Sequence, residues 1–138
     1  MTTHHAKCLC GAVTVRLTAP PIAVRACWCR LCQYLAAGSE TVNVIFAADV
    51  VHIAGQLTDY DSTAESDNIM YRRFCPVCGT PMLSASEARP DRIIIRAGAL
   101  EPRENLKPSQ IIWTSQAPAW ARLDPTIPQT PAQPPPVP

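Results

Sequence analysis

Along this chain hydrophobic and polar positions alternate with a dominant period of two rather than 3.6. The runs AVTVRL (12–17), TVNVIF (41–46), VVHIAG (50–55), NIMYRRF (68–74) and RIIIRAG (92–98) are short, rich in β-branched residues and bounded by Pro, Gly, Asp or Ser. Successive side chains of a strand point to opposite faces, and β-branched residues fit a half-buried pleated surface, so each run predicts a strand. Only RLCQYLAAG (30–38) has helical character, one or two turns ending at Gly38. Fifteen prolines in 138 residues remove amide donors and leave little room for longer helices. The pattern predicts a mainly β fold of short antiparallel sheets with long connections and little helix.

From Asp124 onward the pattern changes. Pro125, Pro128, Pro131 and Pro134 recur every third residue, and Pro135, Pro136 and Pro138 follow. Three residues is the repeat of the polyproline II helix, which makes neither a sheet ladder nor an α-helix. The chain therefore divides into a domain over residues 1–124 and a proline-rich tail over 125–138, the tail being either a strap on the domain surface or a loose end. Its P-x-x-P spacing also suits an SH3-like partner, although no basic residues flank it.

Composition narrows the function classes. Hydrophobic residues make up 47% and charged residues 17%, a globular balance. The 12 basic and 11 acidic residues are interspersed and give a net charge of +1, without the basic stripe of a nucleic-acid surface. No apolar run has the length of a signal peptide or a membrane span, so a cytoplasmic protein is expected. The adjacent His4 and His5 are expected to be solvated near the chain end. Oligomeric state is not legible.

Seven cysteines change the picture most. In a reducing compartment they point to metal ligands or reactive groups rather than disulfides, and an odd number cannot all pair. In FCPVCGTP, Cys75 and Cys78 have the spacing of a zinc knuckle, and Gly79 permits the backbone geometry of the turn. A redox dithiol would need a helix after the motif, which Gly79-Thr80-Pro81 opposes. KCLCGAV supplies Cys8 and Cys10, too close for an unstrained disulfide but able to hold metal from a turn closed by Gly11. Cys8, Cys10, Cys75 and Cys78 would make a closed four-thiolate site; completion of the knuckle by Cys27 and Cys29 is a partition that spacing leaves open. RACWCRLCQY then holds Cys27, Cys29 and Cys32. Three protein ligands and an open fourth position is the arrangement of a catalytic zinc, unless a distant donor such as His52 closes a second structural site.

The segments KCLCGAVTV, CWCRLCQ, HIAGQLTDYDS, RRFCPVCGTPM, IIIRAGALEP and IIWTSQAPAWARL, in this order and spacing, resemble the glutathione-dependent formaldehyde-activating enzyme (GFA) family, to which the centromere protein V domain is related. The resemblance implies an Mss4-like β fold and two zinc ions per chain. It places one structural ion on Cys8, Cys10, Cys75 and Cys78, and a catalytic one on Cys27, Cys29 and Cys32. The implied reaction is carbon–sulfur bond formation between a small thiol such as glutathione and a small carbonyl compound such as formaldehyde. The family commonly writes the middle motif C-H-C-x-x-C, whereas this chain has Trp28 at the His position. An indole can only donate one hydrogen bond or pack, either as an apolar wall of the site or in the core beside it.

Arg72 and Arg73 precede the knuckle and could pair with the carboxylates of a peptide thiol. Trp113 and Trp120 are expected to pack in the core or in a lid. These readings leave a zinc-dependent carbon–sulfur lyase first, then a non-catalytic, zinc-stabilised binding module with two structural ions, then a metal-free thiol redox sensor built on the Cys27–Cys32 cluster.

Overall fold

The computed structural model describes residues 1–64 and 66–138. Its strands are β1 (His4–Lys7), β2 (Thr14–Leu17), β3 (Ala23–Cys27), β4 (Thr41–Ala47), β5 (Val51–Ala54), β6 (Thr58–Thr63), β7 (Ile69–Phe74), β8 (Pro81–Ser86), β9 (Arg89–Arg96), β10 (Leu100–Glu101) and β11 (Gln110–Ile112), with one α-helix, α1 (Arg30–Leu35). A four-stranded sheet has the order β10-β1-β2-β5, and a seven-stranded sheet the order β11-β3-β4-β9-β8-β7-β6. All named pairings are antiparallel except β11 with β3, which is parallel. The protein is mainly β. The five runs with period two coincide with β2, β4, β5, β7 and β9, and the helical stretch with α1. No helix among the described residues is long and apolar enough to cross a membrane.

The two sheets share one core. Val24, Val44, Phe46, Leu83 and Ile95 of the large sheet are buried with Ala6, Val15 and Leu17 of the small one. Each fully buried Leu, Val, Ile or Phe contributes roughly 1.5–3 kcal/mol, so this layer dominates cohesion. Alternation places the other residues of the same strands on the opposite face. There Arg25, Asn43 and Arg96 lie directly across from one another on β3, β4 and β9. Arg72 lies opposite Ser84, and Ser84 opposite Ile94. One face of the large sheet is thus apolar and closed, and the other sets arginines and Asn43 among Ile45, Met70 and Ile94 and is available for chemistry.

The small sheet corrects the reading of His4. It is only 4% exposed, with its ring edge-on to Phe46 at 6.0 Å between centroids, because alternation along β1 turns it and Ala6 inward. His5 points out.

The proline-rich segment lies against the domain. The Ile111 amide donates to the Pro128 carbonyl (2.9 Å), and the Thr130 amide donates to the Ile111 carbonyl (2.9 Å). The segment thereby runs parallel to β11 at the edge of the large sheet. Beside it, Trp28, Ala26 and Ile111 form a small apolar cluster covered by Ala117, Ala121, Leu123 and Ile127.

Candidate functional site

Two turns on distant parts of the chain bring four sulfurs together. Cys8 directly follows β1, and the Gly11 amide bonds the Cys8 carbonyl (3.0 Å), which folds Cys10 back beside it. Cys75 and Cys78 occupy the turn between β7 and β8, where the Gly79 amide bonds the Cys75 carbonyl (2.9 Å) with Gly79 at φ +75°. All four sulfurs lie within 4.8 Å of one another. The Cys8–Cys10 and Cys10–Cys75 sulfur separations are 3.7 and 3.8 Å. A tetrahedral zinc with Zn–S bonds of about 2.3 Å needs sulfurs about 3.8 Å apart, so the set fits that ion.

Donors converge on the same sulfurs. The Val13 amide donates to Cys8 Sγ (3.2 Å), the Val77 amide to Cys75 Sγ (3.4 Å), and the Thr80 hydroxyl lies 3.1 Å from Cys78 Sγ. The Thr80 hydroxyl and amide pull the Cys78 thiol down to about 5. The Cys10 thiol is raised to about 11: the Ala12 amide lowers it, but burial and the neighbouring sulfurs outweigh that bond. Hydrogen bonds to a thiolate favour the deprotonated form that a metal requires.

The second cluster sits where the large sheet meets the helix. Cys27 ends β3, Cys29 is the N-cap of α1 with its sulfur accepting from the Cys32 amide (3.3 Å), and Cys32 lies in the first turn. The three are 5–7% exposed, and their sulfurs lie within 4.8 Å of one another. No fourth His, Cys, Asp or Glu among the described residues joins them. Cys27 and Cys29 therefore do not complete the knuckle. His52 does not close the trio either: it is exposed on β5, opposite Arg16 in the other sheet.

These three cysteines line one cavity of about 220 Å³ on the face of the large sheet turned away from the small one. Arg25, Arg72, Arg89, Arg92 and Arg96 also line it. Arg72 and Arg96 are each only 9% exposed, Arg72 bonding the Ser62 hydroxyl and Arg96 the Asn43 side-chain oxygen. Among the described residues neither has a carboxylate within ion-pair distance. The Cys32 thiol is drawn down to about 3 by the Cys27 and Cys29 sulfurs, with the Thr41 hydroxyl and the Arg96 guanidinium adding to the effect. Cys27 moves upward because Cys29 and Cys32 crowd it. Burial lowers Arg96 from its ordinary value, and the charge on Cys32 pulls it back up. Ser84 also lines the cavity, and its Oγ is buried without a hydrogen-bond partner among the described residues.

Other sequence-derived candidates fall elsewhere. Trp28 is 3% exposed and belongs to the small cluster under residues 117–127, so it packs in the core and is no wall of the cavity. Arg73 pairs with Asp59 (3.3 Å) and does not line the cavity. Trp113 lines it, whereas Trp120 is 71% exposed, neither core nor lid. Reading the sequence by Cys spacing passed over Arg25, Asn43, Ser84, Arg92 and Arg96. A signal for three of them was present: in RIIIRAG, Arg92 and Arg96 share the face of Ile94, and in TVNVIF, Asn43 falls out of phase with Val42, Val44 and Phe46.

Fold and site together define a β protein with two cysteine-only clusters that could hold metal, one of four sulfurs and one of three opening into an arginine-lined cavity. The chain belongs to the glutathione-dependent formaldehyde-activating enzyme family, whose sequence profile matches residues 3–116. The matched span includes all seven cysteines and stops short of the proline-rich tail. A crystal structure of a Rhodobacter sphaeroides protein shares the fold, with a TM-score of 0.59, 19% identity, and coverage of 75% of this chain and 96% of that one. No match is found among curated proteins.

Proposed function

We propose that this protein is a zinc-dependent carbon–sulfur lyase that joins a small thiol of the glutathione type to a small aldehyde such as formaldehyde, and reverses the reaction. On this reading Cys8, Cys10, Cys75 and Cys78 hold a structural zinc, and Cys27, Cys29 and Cys32 hold a catalytic one. The observation that carries it is the set of three buried sulfurs, without a fourth donor among the described residues, in the wall of a cavity. A zinc ion held by three cysteinates supplies Lewis acidity that keeps a bound substrate thiol deprotonated at neutral pH.

The surrounding residues supply the remaining parts. Arg96 puts a buried positive charge beside the thiolate cluster, where low polarity strengthens its effect, and the buried Arg72 lines the same cavity. Arg25, two residues before Cys27 on the same face of β3, suits a substrate carboxylate. In the forward direction the thiol sulfur forms a bond to the carbonyl carbon, the C=O π pair moves onto oxygen, and the proton given up by the thiol ends on that oxygen. Free thiol substrates suit a reducing cytoplasm.

The alternative, a zinc-stabilised binding module whose proline tail docks a partner, has less support because the tail's acceptors are already engaged by this chain's own arginines. The test is the rate of S-hydroxymethylglutathione formation from glutathione and formaldehyde. The zinc-loaded protein should exceed the uncatalysed rate, and folded Cys29→Ser should not. Equal rates with and without the native protein would remove the lyase reading for this substrate pair.

A further inference from the structure

The segment Gln133–Pro138 has no place in the function proposed above, and it lies outside the family match. Its path is specific. The Trp113 indole N–H donates to Gln133 Oε1 (2.9 Å), and Pro134 is buried. Arg25 Nη2 donates to the Pro135 carbonyl (3.2 Å), Arg89 Nη2 to the Val137 carbonyl (3.4 Å), and Arg92 Nη2 to the main-chain oxygen of Pro138 (3.0 Å). Gln133, Pro136 and Val137 line the same cavity as Cys27, Cys29 and Cys32. Three of the five cavity arginines therefore direct donors to this one segment, Arg89 and Arg92 while also ion-paired with Asp91 (3.2 Å each).

The chemistry of the segment matches that placement. Four of the six residues are proline, so the stretch offers carbonyl acceptors and almost no amide donors. Polyproline II turns those carbonyls outward and loses little entropy on docking. Guanidiniums offer only donors. Nothing of this stretch joins a strand ladder: the parallel bridge to the sheet edge is at Gln129, upstream of it.

We infer that Arg25, Arg89 and Arg92 form a subsite in the wall of this cavity for the carboxylates of a peptide-like ligand, and that Gln133–Pro138 occupies this subsite until the ligand displaces it. The inference rests on the proposed function for the identity of the thiol, but not for the competition itself. A carboxylate makes charge-assisted, bidentate bonds to Arg25 and Arg89 that the Pro135 and Val137 carbonyls cannot, so an anionic ligand can win despite the high effective concentration of a tethered segment. The cost to the ligand is the fraction of molecules with the strap closed: at about 90% closure its apparent affinity falls about tenfold. A small neutral thiol makes no claim on these arginines and is not penalised.

The experiment uses the full chain, cobalt-loaded for optical spectra and zinc-loaded for NMR. S-methylglutathione carries the carboxylates but no free thiol; glutathione carries both, and 2-mercaptoethanol only a thiol. Two variants loosen the strap while keeping the arginines: Gln133→Ala, which removes the Trp113 bond, and a triple change, Pro134→Gly, Pro135→Gly and Pro136→Gly. S-methylglutathione should move the Trp113 indole N–H resonance of the native protein toward its position in Gln133→Ala. It should also bind the triple variant about tenfold more tightly than the native chain. 2-Mercaptoethanol should bind both alike. Equal S-methylglutathione affinity for native and loosened chains, binding that leaves the Trp113 resonance in place, or no binding to either chain at millimolar concentration would each overturn the inference. If S-methylglutathione displaces the strap but glutathione leaves the cobalt spectrum unchanged, the strap competition stands and the thiol reading fails.

Discussion

At Cys75 and at Cys29 the same replacement of sulfur by oxygen is expected to have different consequences. Cys75 is fully buried in the four-sulfur set that ties the end of β1 to the β7–β8 turn. Structural zinc binding is worth about 10–16 kcal/mol in small peptides, against a net stability of about 5–15 kcal/mol for an ordinary domain. Cys75→Ser should therefore collapse soluble yield and melting temperature. On the proposed assignment, Cys29→Ser should leave a folded protein without the second metal and without lyase activity. If both variants unfold alike by circular dichroism, the three-sulfur set is structural too. Arg96 carries a second expectation. Arg96→Gln removes a buried positive charge beside Cys32 and should weaken glutathione binding to the cobalt protein by about tenfold, or about 1.4 kcal/mol, with Arg96→Lys recovering part of the loss. An unchanged glutathione affinity in Arg96→Gln would deny the guanidinium that role. At this scale the cysteines were legible because their spacing is itself a chemical signal, whereas for Arg96 the alternation in RIIIRAG gave only the strand face it shares with Arg92 and Ile94, and its place beside a thiolate comes from the topology.

Strands and turns give different tests. Gly55, just after β5, has φ +97°, and a Cβ there would run into the Ala12 carbonyl oxygen of the backbone leading into β2. Gly55→Ala should cost more than about 1 kcal/mol, read as a lowered denaturation midpoint. Gly38→Ala, with φ +103° but open space around it, should cost less. Trp28→His changes the element that connects β3 to α1. Its indole fills the cluster beneath Ala117, Ala121, Leu123 and Ile127, so a smaller polar ring should lower stability by about 2–4 kcal/mol and the melting temperature by roughly 6–15 °C. It should bring no gain in glutathione turnover, since Trp28 does not line the cavity. Higher turnover in Trp28→His would show that position 28 reaches the substrate. Period two revealed the strands with one apolar face. It did not reveal β6, whose TDYDST lies almost wholly exposed at the sheet edge, nor β3, whose outward residues Arg25 and Cys27 serve the cavity. β1 was missed for a related reason: a buried histidine beside the chain end carries no periodic signal in four residues.

The whole molecule is a large sheet used on both faces. One is sealed by the small sheet; the other is furnished with arginines and three sulfurs, and the proline segment forms part of the same cavity's wall. The period-three proline pattern carried the extended form of that segment, but its route could not be read, because its partners Arg25, Arg89 and Arg92 are recruited from strands far away in sequence. On the proposed assignment the intact protein holds two zinc ions of unequal affinity. A mild chelator should remove one ion first while the circular dichroism spectrum persists; a single step that removes both together with the fold would contradict this.

The central claim is that the three-sulfur set accepts a thiolate as its fourth ligand, and the most direct measurement is the visible spectrum of the cobalt-substituted native protein titrated with glutathione. Replacing an oxygen ligand by sulfur should change the ligand-field bands and strengthen the sulfur-to-metal charge transfer, saturating at one thiol per chain, with no such change in Cys29→Ser. A spectrum that glutathione, cysteine and small apolar thiols all leave unchanged would contradict the account.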